Sequence, residues 1–280
     1  MTQVADPTTV DLEQYRSELT GFCYRMLGSA FDADDAVQET MVRAWRGMDT
    51  FEGRSAVRSW LYRIATNVCL DMLRGRQRRA RPMEMGPSST ADSFHGETLP
   101  EHAWVTPIPD TRVLADDGDP AELAAERETI RLAFVAALQR ARANLAEHDP
   151  GTASADAMDP AQQALLARYV EAFENYDVTG LVRLLHDDVV QSMPPYAMWL
   201  QGPDEISQWL LGPGIGCRGS RLMATAANGG TAFGQYRPDP QGGHAPWSLQ
   251  VIEMSGGRII GLHNFLDTKL FAAFGLPAHL

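Results

Sequence analysis

The chain has 280 residues, 44% of them hydrophobic, which suits two folded domains with linkers and excludes a wholly disordered chain. The net charge of −12 excludes a uniformly basic nucleic-acid binder. No stretch reaches the roughly 18 apolar residues of a membrane-spanning helix, and 1-MTQVADPTTVDLEQ-14 has no charged-then-apolar signal layout. A cytoplasmic protein without membrane contact is therefore expected. Cys23, Cys69 and Cys217 are scattered, and no paired Cys/His spacing exists, so reduced thiols, no metal and no cofactor are expected.

In chain order, 12-LEQYRSELTGFCYRMLG-28 carries apolar residues at helical spacing and ends at Gly28. Asp32 or Asp34 is expected to cap a second helix, 34–48, with Val37, Met41, Ala44 and Trp45 on its inner face. After the turn 49-DTFEGRS-55, a long helix 56–80 is expected to bury Trp60, Leu61, Ile64, Ala65, Val68, Cys69 and Met72. Charge is uneven along the chain. Arg54 to Arg81 holds eight Arg and one acid, a local +7; Glu84 to Glu128 holds eleven acids and two Arg, a local −9.

Residues 82–120, rich in Pro and acids, read as an extended, poorly ordered acidic linker. A helix 121–148 opens at Asp119-Pro120, and 149–160 is a second breaker zone. From 161 the pattern changes to a helix 161–177, a short helix 178–188, and strand-like runs at 189–193, 221–228, 231–238, 247–254 and 258–267. Gly256-Gly257 signals a hairpin between the last two. Helices followed by an antiparallel sheet predict an α+β architecture.

The basic helix presents Arg58, Arg63, Arg74, Arg76, Arg78 and Arg79 outside its apolar stripe, the kind of surface phosphates require. A solvated basic face is the plainer reading of charge alone. The segments 32-DADDAVQET-40 and 60-WLYRIATNVCLDMLRGRQRR-79 carry more: they resemble region 2 of sigma factors of the extracytoplasmic-function type. Trp60, Leu61, Ile64, Ala65, Asn67, Asp71, Leu73 and Arg74 fall in register with that family's pattern. The resemblance implies an all-α region 2 domain (1–81) that binds the RNA polymerase core through Asp34, Asp35, Gln38 and Glu39. It places Arg54, Arg58, Arg63, Asn67, Arg74, Arg78 and Arg79 toward promoter DNA at the −10 element, where an unpaired base is flipped and stacked. It also suggests that the acidic linker threads the polymerase cleft as a polyanion mimic.

The stretches 165–190 and 257–277 resemble the start and end of a SnoaL-like domain, a cystatin- or cone-type α+β barrel, so 161–280 is expected to form one. Together the chain resembles the sigma factor G-like group. Pocket candidates are Tyr196, Trp199, Trp209, Gln235, Tyr236, Trp247, Glu253, His263 and Asn264, with a small hydrophobic ligand as a candidate partner. Strict alternation separates Leu262, Asn264 and Leu266 from His263, Phe265 and Asp267. By resemblance to an epoxide-hydrolase version of the fold, Asn264 stands where a catalytic acid would, and an amide cannot serve. His263 with Asp267 is the weak catalytic candidate, conditional on their face being the concave one.

The resemblance also implies a helix–turn–helix region 4 before the cone, and no such pattern occurs from 82 to 160. Residues 121–139 and 140–147 read as its two edges, joined within 134-FVAALQRARANLAEH-148. An internal deletion is favoured over natural loss. The expected function is promoter −10 recognition with polymerase, modulated by the cone and lacking −35 reading. The alternative is a small-molecule cyclase, isomerase or hydrolase with a relic sigma domain.

Overall fold

The computed structural model describes residues 11–48, 51, 56–74, 83, 86–93, 98–100, 103–114, 127, 129–130 and 160–280. The expected helix 121–148, Arg54, Arg78 and Arg79, and most of the turn 49–55 lie outside them, except Phe51, Arg127, Thr129 and Ile130.

Three helices make the first core: α1 (Arg16–Leu27), α2 (Ala30–Gly47) and α3 (Val57–Leu73). Gly28 stops α1 with φ of 68°, a left-handed conformation that glycine adopts without steric cost. The cap of α2 is Ser29, whose Oγ accepts from Asp32 N at 3.2 Å; this corrects the expected Asp32 or Asp34 cap and starts the helix at Ala30. Leu19, Tyr24, Val37, Leu61, Ala65 and Val68 pack together as the sequence pattern implied. Trp45 does not join them: it is 76% exposed. The buried stripe of α2 runs through Ala33, Val37, Thr40 and Ala44, and the next residue is turned about 100° away.

The second core belongs to a six-stranded sheet in the order β2-β1-β6-β5-β4-β3. Its strands are β1 (Leu185–Ser192), β2 (Trp199–Gln201), β3 (Arg221–Ala227), β4 (Gly230–Pro238), β5 (His244–Ser255) and β6 (Arg258–Phe265). All neighbours are antiparallel except β1 and β6. Gly256 and Gly257, at φ 56° and 73°, form the expected tight hairpin, since both central positions need positive φ. Helices α4 (Pro160–Glu174), α5 (Val178–Val182) and α6 (Pro203–Leu211) pack on the concave face, and α7 (Lys269–Ala273) packs on the other. Pro at the first turn of α6, with Asp204 and Glu205 in it, favours a helix there, although no element was expected between 202 and 220.

The linker is the main departure from expectation. Residues 103–114 are folded between the two cores, with Trp104, Val105, Ile108, Val113 and Leu114 all buried. Thr106 O accepts from Tyr24 Oη at 2.9 Å, and Thr106 Oγ1 accepts from Ala30 N at 3.1 Å. Ile108 N and O pair with Asn228 Oδ1 and N at 3.2 and 3.1 Å. Farther back, Leu99 N donates to Pro195 O and Ser89 N to Trp199 O. The poorly ordered reading is therefore corrected for these residues: acid and proline content hid an apolar run whose partners lie far away in sequence.

Candidate functional site

Helix α2 turns Asp35, Gln38 and Glu39 outward; all three are exposed. Glu39 Oε1 accepts from Arg43 Nε at 2.7 Å, and Arg43 also lies 3.6 Å from Asp71 on α3. Trp45, two turns beyond Gln38, adds a large apolar group to the same face. Asp34 differs from its neighbours: it is half-buried and ion-paired with Arg112 of the linker.

On α3, Arg63, Asn67 and Arg74 are exposed, and none is covered by the cone. The charge-driven cover that an acidic linker and cone would favour is thus not formed over these residues. Arg74 pairs with Asp71 at 3.0 Å, one helical turn back. Arg58 is committed to Glu18 of α1, with Nε 2.6 Å from Oε1, and lies 5.8 Å over the Tyr62 ring. The same carboxylate accepts from Tyr62 Oη, and burial, followed by that contact, pushes the Tyr62 pKa up to about 12. Tyr62 thus stays a protonated donor at neutral pH. Trp60 is core, packed against Phe51 at 4.8 Å between ring centroids.

In the cone, the concave face collects Gln191 from β1 and Met193 just after it, Gln235 from β4, Ser248 and Gln250 from β5, and Leu262 and Asn264 from β6. Trp209 closes one side from α6, and Tyr169 and Phe173 close another from α4. A bulge between β4 and β5 lets both Trp247 and Ser248 line the cavity. Of the expected pocket residues, Trp209, Gln235, Trp247 and Asn264 are there. Five are elsewhere because alternation or the linker claims them. Tyr236 faces outward against Phe271, and its hydroxyl donates to Pro277 O. Trp199 Nε1 donates to Gly86 O, and Tyr196 forms a bridge with Thr98. His263 is only 1% exposed on the convex face, its Nδ1 2.8 Å from Ser192 Oγ and its Nε2 3.4 Å from Glu253 Oε1. Glu253 is there too and not in the pocket.

The His263–Asp267 pair is not formed. Strand β6 ends at Phe265, and Asp267 Oδ1 instead accepts from Lys269 N at the start of α7. The alternation argument fails at that point because the backbone leaves the sheet. Gln191 and Gln250 were not foreseen; their signal was alternation with Met193 and Ser248. Among the described residues, no group of three His, Cys, Asp or Glu side chains gathers as metal ligands.

A helical domain with an acidic outward helix is thus followed by a cone with an uncharged cavity. Residues 12–79 match the Sigma-70 region 2 family, and residues 166–261 match the SnoaL-like domain family. The chain is 38% identical to the ECF RNA polymerase sigma factor SigG of Mycobacterium tuberculosis, over 96% of this chain and 83% of that protein. It is 42% identical to SigW of Bacillus subtilis over 60 residues, covering 21% of this chain and 32% of SigW. The crystal structure of the sigma factor SigJ of Mycobacterium tuberculosis superposes with a TM-score of 0.54 at 20% identity, covering 95% of this chain and 98% of that one, a likeness of fold. The chain belongs to the extracytoplasmic-function sigma factor family, in the form that carries a SnoaL-like domain at its C-terminal side. The 311-position alignment with SigG is longer than the 280-residue chain, so part of that relative has no counterpart here. No helix among the described residues is long and apolar enough to cross a membrane.

Proposed function

We propose that this sigma factor acts in the cytoplasm, docking on core RNA polymerase through Asp35, Gln38 and Glu39, with Asp34 joining once Arg112 releases it. Arg63, Asn67 and Arg74 then face the −10 element, with Arg58 at the rim of that surface. Arg54, Arg78 and Arg79 extend the assignment into residues outside those described. Residues 1–81 act as the region 2 unit, 82–120 as a strap, 121–148 as what remains of region 4, 149–160 as a second linker and 161–280 as the cone. With no −35-reading helix pair in its sequence, the chain contacts a promoter through the −10 element alone.

One observation carries the reading: the acidic face of α2 and the basic, polar face of α3 are both open to solvent, although the cone is packed against the same helical unit. The cone serves as a small-molecule-binding module. The enzyme alternative is not favoured, since His263 lies off the cavity and Asn264 carries an amide. The DNA assignment is tested by titrating the polymerase complex with single-stranded oligonucleotides randomised at the −10 positions. Changing Arg63 and Asn67 to Ala together should weaken retention by tenfold or more; unchanged retention would remove those residues from the DNA interface.

A further inference from the structure

The cone cavity has a surplus of buried hydrogen-bond donors. Gln191 Nε2 and Trp209 Nε1 are both buried and without a hydrogen-bond partner, and both residues line the cavity. Their side chains are 4% and 9% exposed. Two amide oxygens of the lining are already used. Gln235 Oε1 accepts from Ser248 Oγ at 2.8 Å and from Gln250 Nε2 at 3.0 Å, while Gln250 Oε1 accepts from Tyr169 Oη at 2.8 Å. Burial pushes the Tyr169 pKa up, so its phenol keeps the proton that makes this bond.

Trp209 is the firmer of the two donors, because an indole N–H can only donate. Its ring is held from behind by Gly214, where a Cβ would come within 2.3 Å of the ring. Tyr176 Oη braces the same turn through Leu210 O at 2.6 Å and Gly214 O at 3.0 Å. Among the described residues, no Asp, Glu, Lys, Arg or His lines the cavity; Arg237 lies behind the lining, stacked on Trp247 and with Nη2 3.1 Å from Cys217 Sγ. An ion entering it would lose hydration with no charged group in the lining to replace it, whereas a neutral acceptor oxygen would accept from donors that only water could otherwise reach.

The cavity is small, about 20 Å³. That is room for one or two waters, with at least about 10–15 Å³ needed for each. A ring therefore enters by displacing water and shifting a side chain. Trp247, 36% exposed and stacked under Arg237 at 3.4 Å from ring centroid to Cζ, is the most open of the large lining side chains.

We infer that the cone binds a small, uncharged molecule through a carbonyl-type oxygen that accepts from Trp209 Nε1 and Gln191 Nε2. This deepens the reading of the cone as a binding module and is independent of what the helical domain does. The test uses the full chain and the indole ¹H–¹⁵N signals of its six tryptophans, with the Trp209 signal identified by its loss in Trp209→Phe. Cyclohexanone is the probe, methylenecyclohexane its isostere without the acceptor, and benzoate the charged control. Cyclohexanone should shift the Trp209 signal saturably, at roughly tenfold lower concentration than methylenecyclohexane, as one net hydrogen bond to a buried donor implies. Hydrophobicity alone would give the opposite order, since the hydrocarbon is the less soluble. Benzoate should not bind, and Gln191→Leu should remove much of the preference for the ketone. Equal binding of ketone and hydrocarbon would overturn the acceptor assignment while leaving a binding module. No shift with either would overturn the module as well. The comparison of probes on the unaltered chain decides the matter even if Gln191→Leu does not fold.

Discussion

Asn228 Nδ2 donates to Tyr24 Oη at 2.6 Å, across 204 residues of sequence, and the Tyr24 hydroxyl in turn donates to Thr106 O at 2.9 Å. One buried amide thereby ties the cone, the strap and the first helix of region 2 together. Asn228 is also suited to its place by backbone: its φ is 56°, in the left-handed region that Asn tolerates better than most residues.

Replacing Asn228 by Ala would orphan Ile108 N, remove the donor to Tyr24 and place Ala at positive φ. A loss of about 2–4 kcal/mol is expected from two unsatisfied buried contacts and the backbone cost. Thermal or urea unfolding measures it. The strap residues 103–114 should also become open to limited proteolysis before either core unfolds.

Arg112 is ion-paired with Asp34, so the polymerase contact proposed for that carboxylate requires the pair to break. Both side chains are partly exposed, and such a pair contributes at most about 1 kcal/mol. Arg112→Ala should therefore leave the unfolding midpoint nearly unchanged while raising core polymerase affinity by up to about fivefold. A fall in affinity would mean that Arg112 itself contacts the polymerase.

Trp45 is exposed on the face of Asp35 and Gln38, and exposed tryptophans of this kind dominate interfaces when they become buried. Trp45→Ala should change stability by no more than about 0.5 kcal/mol, yet cost about 2 kcal/mol in polymerase binding. Calorimetry of the free chain against a binding titration separates the two.

Asp110 carries a pH prediction. Burial raises its pKa above the usual carboxylate range, although Gly229 N, 2.7 Å away, and the Arg127 charge both lower it. The folded state therefore holds this proton more tightly than the unfolded chain does. Its contribution is greatest below the unfolded pKa and is lost as pH rises through the higher folded value. Asp110→Asn keeps an acceptor for Gly229 N without the buried charge. It should be as stable as or more stable than the parent at pH 7, and should lose the parent's relative gain on acidification; unfolding midpoints across pH 4 to 7 check this.

The three region 2 helices and the later strands were legible because their apolar periods are local. Trp45 was misplaced because the true stripe of α2 is built mostly of alanines, which weigh little beside a tryptophan in a hydrophobic pattern. The strap was misread for another reason. Its composition is that of a loop, and what orders it, Tyr24, Ala30 and Asn228, lies 76 to 120 residues away. In the cone, residue type drew attention to Tyr196, Trp199, Tyr236 and His263, while alternation along β1, β5 and β6 decided which side chains enter the cavity. On the last strand Leu262 and Asn264 were correctly separated from His263 and Phe265 in sequence, but the split failed at Asp267, beyond the end of β6, and which half is concave follows only from where α4 and α6 pack.

The most direct test of the sigma-factor reading is equilibrium binding of the purified chain to core RNA polymerase, beside a variant in which Asp35 and Gln38 are both Ala. Both residues are exposed, so the variant should fold as the parent does. Micromolar or tighter binding is predicted for the parent, with a loss of at least about tenfold, or 1.4 kcal/mol, in the variant. Absence of association at micromolar concentration, or equal binding by parent and variant, would contradict the assignment of this face.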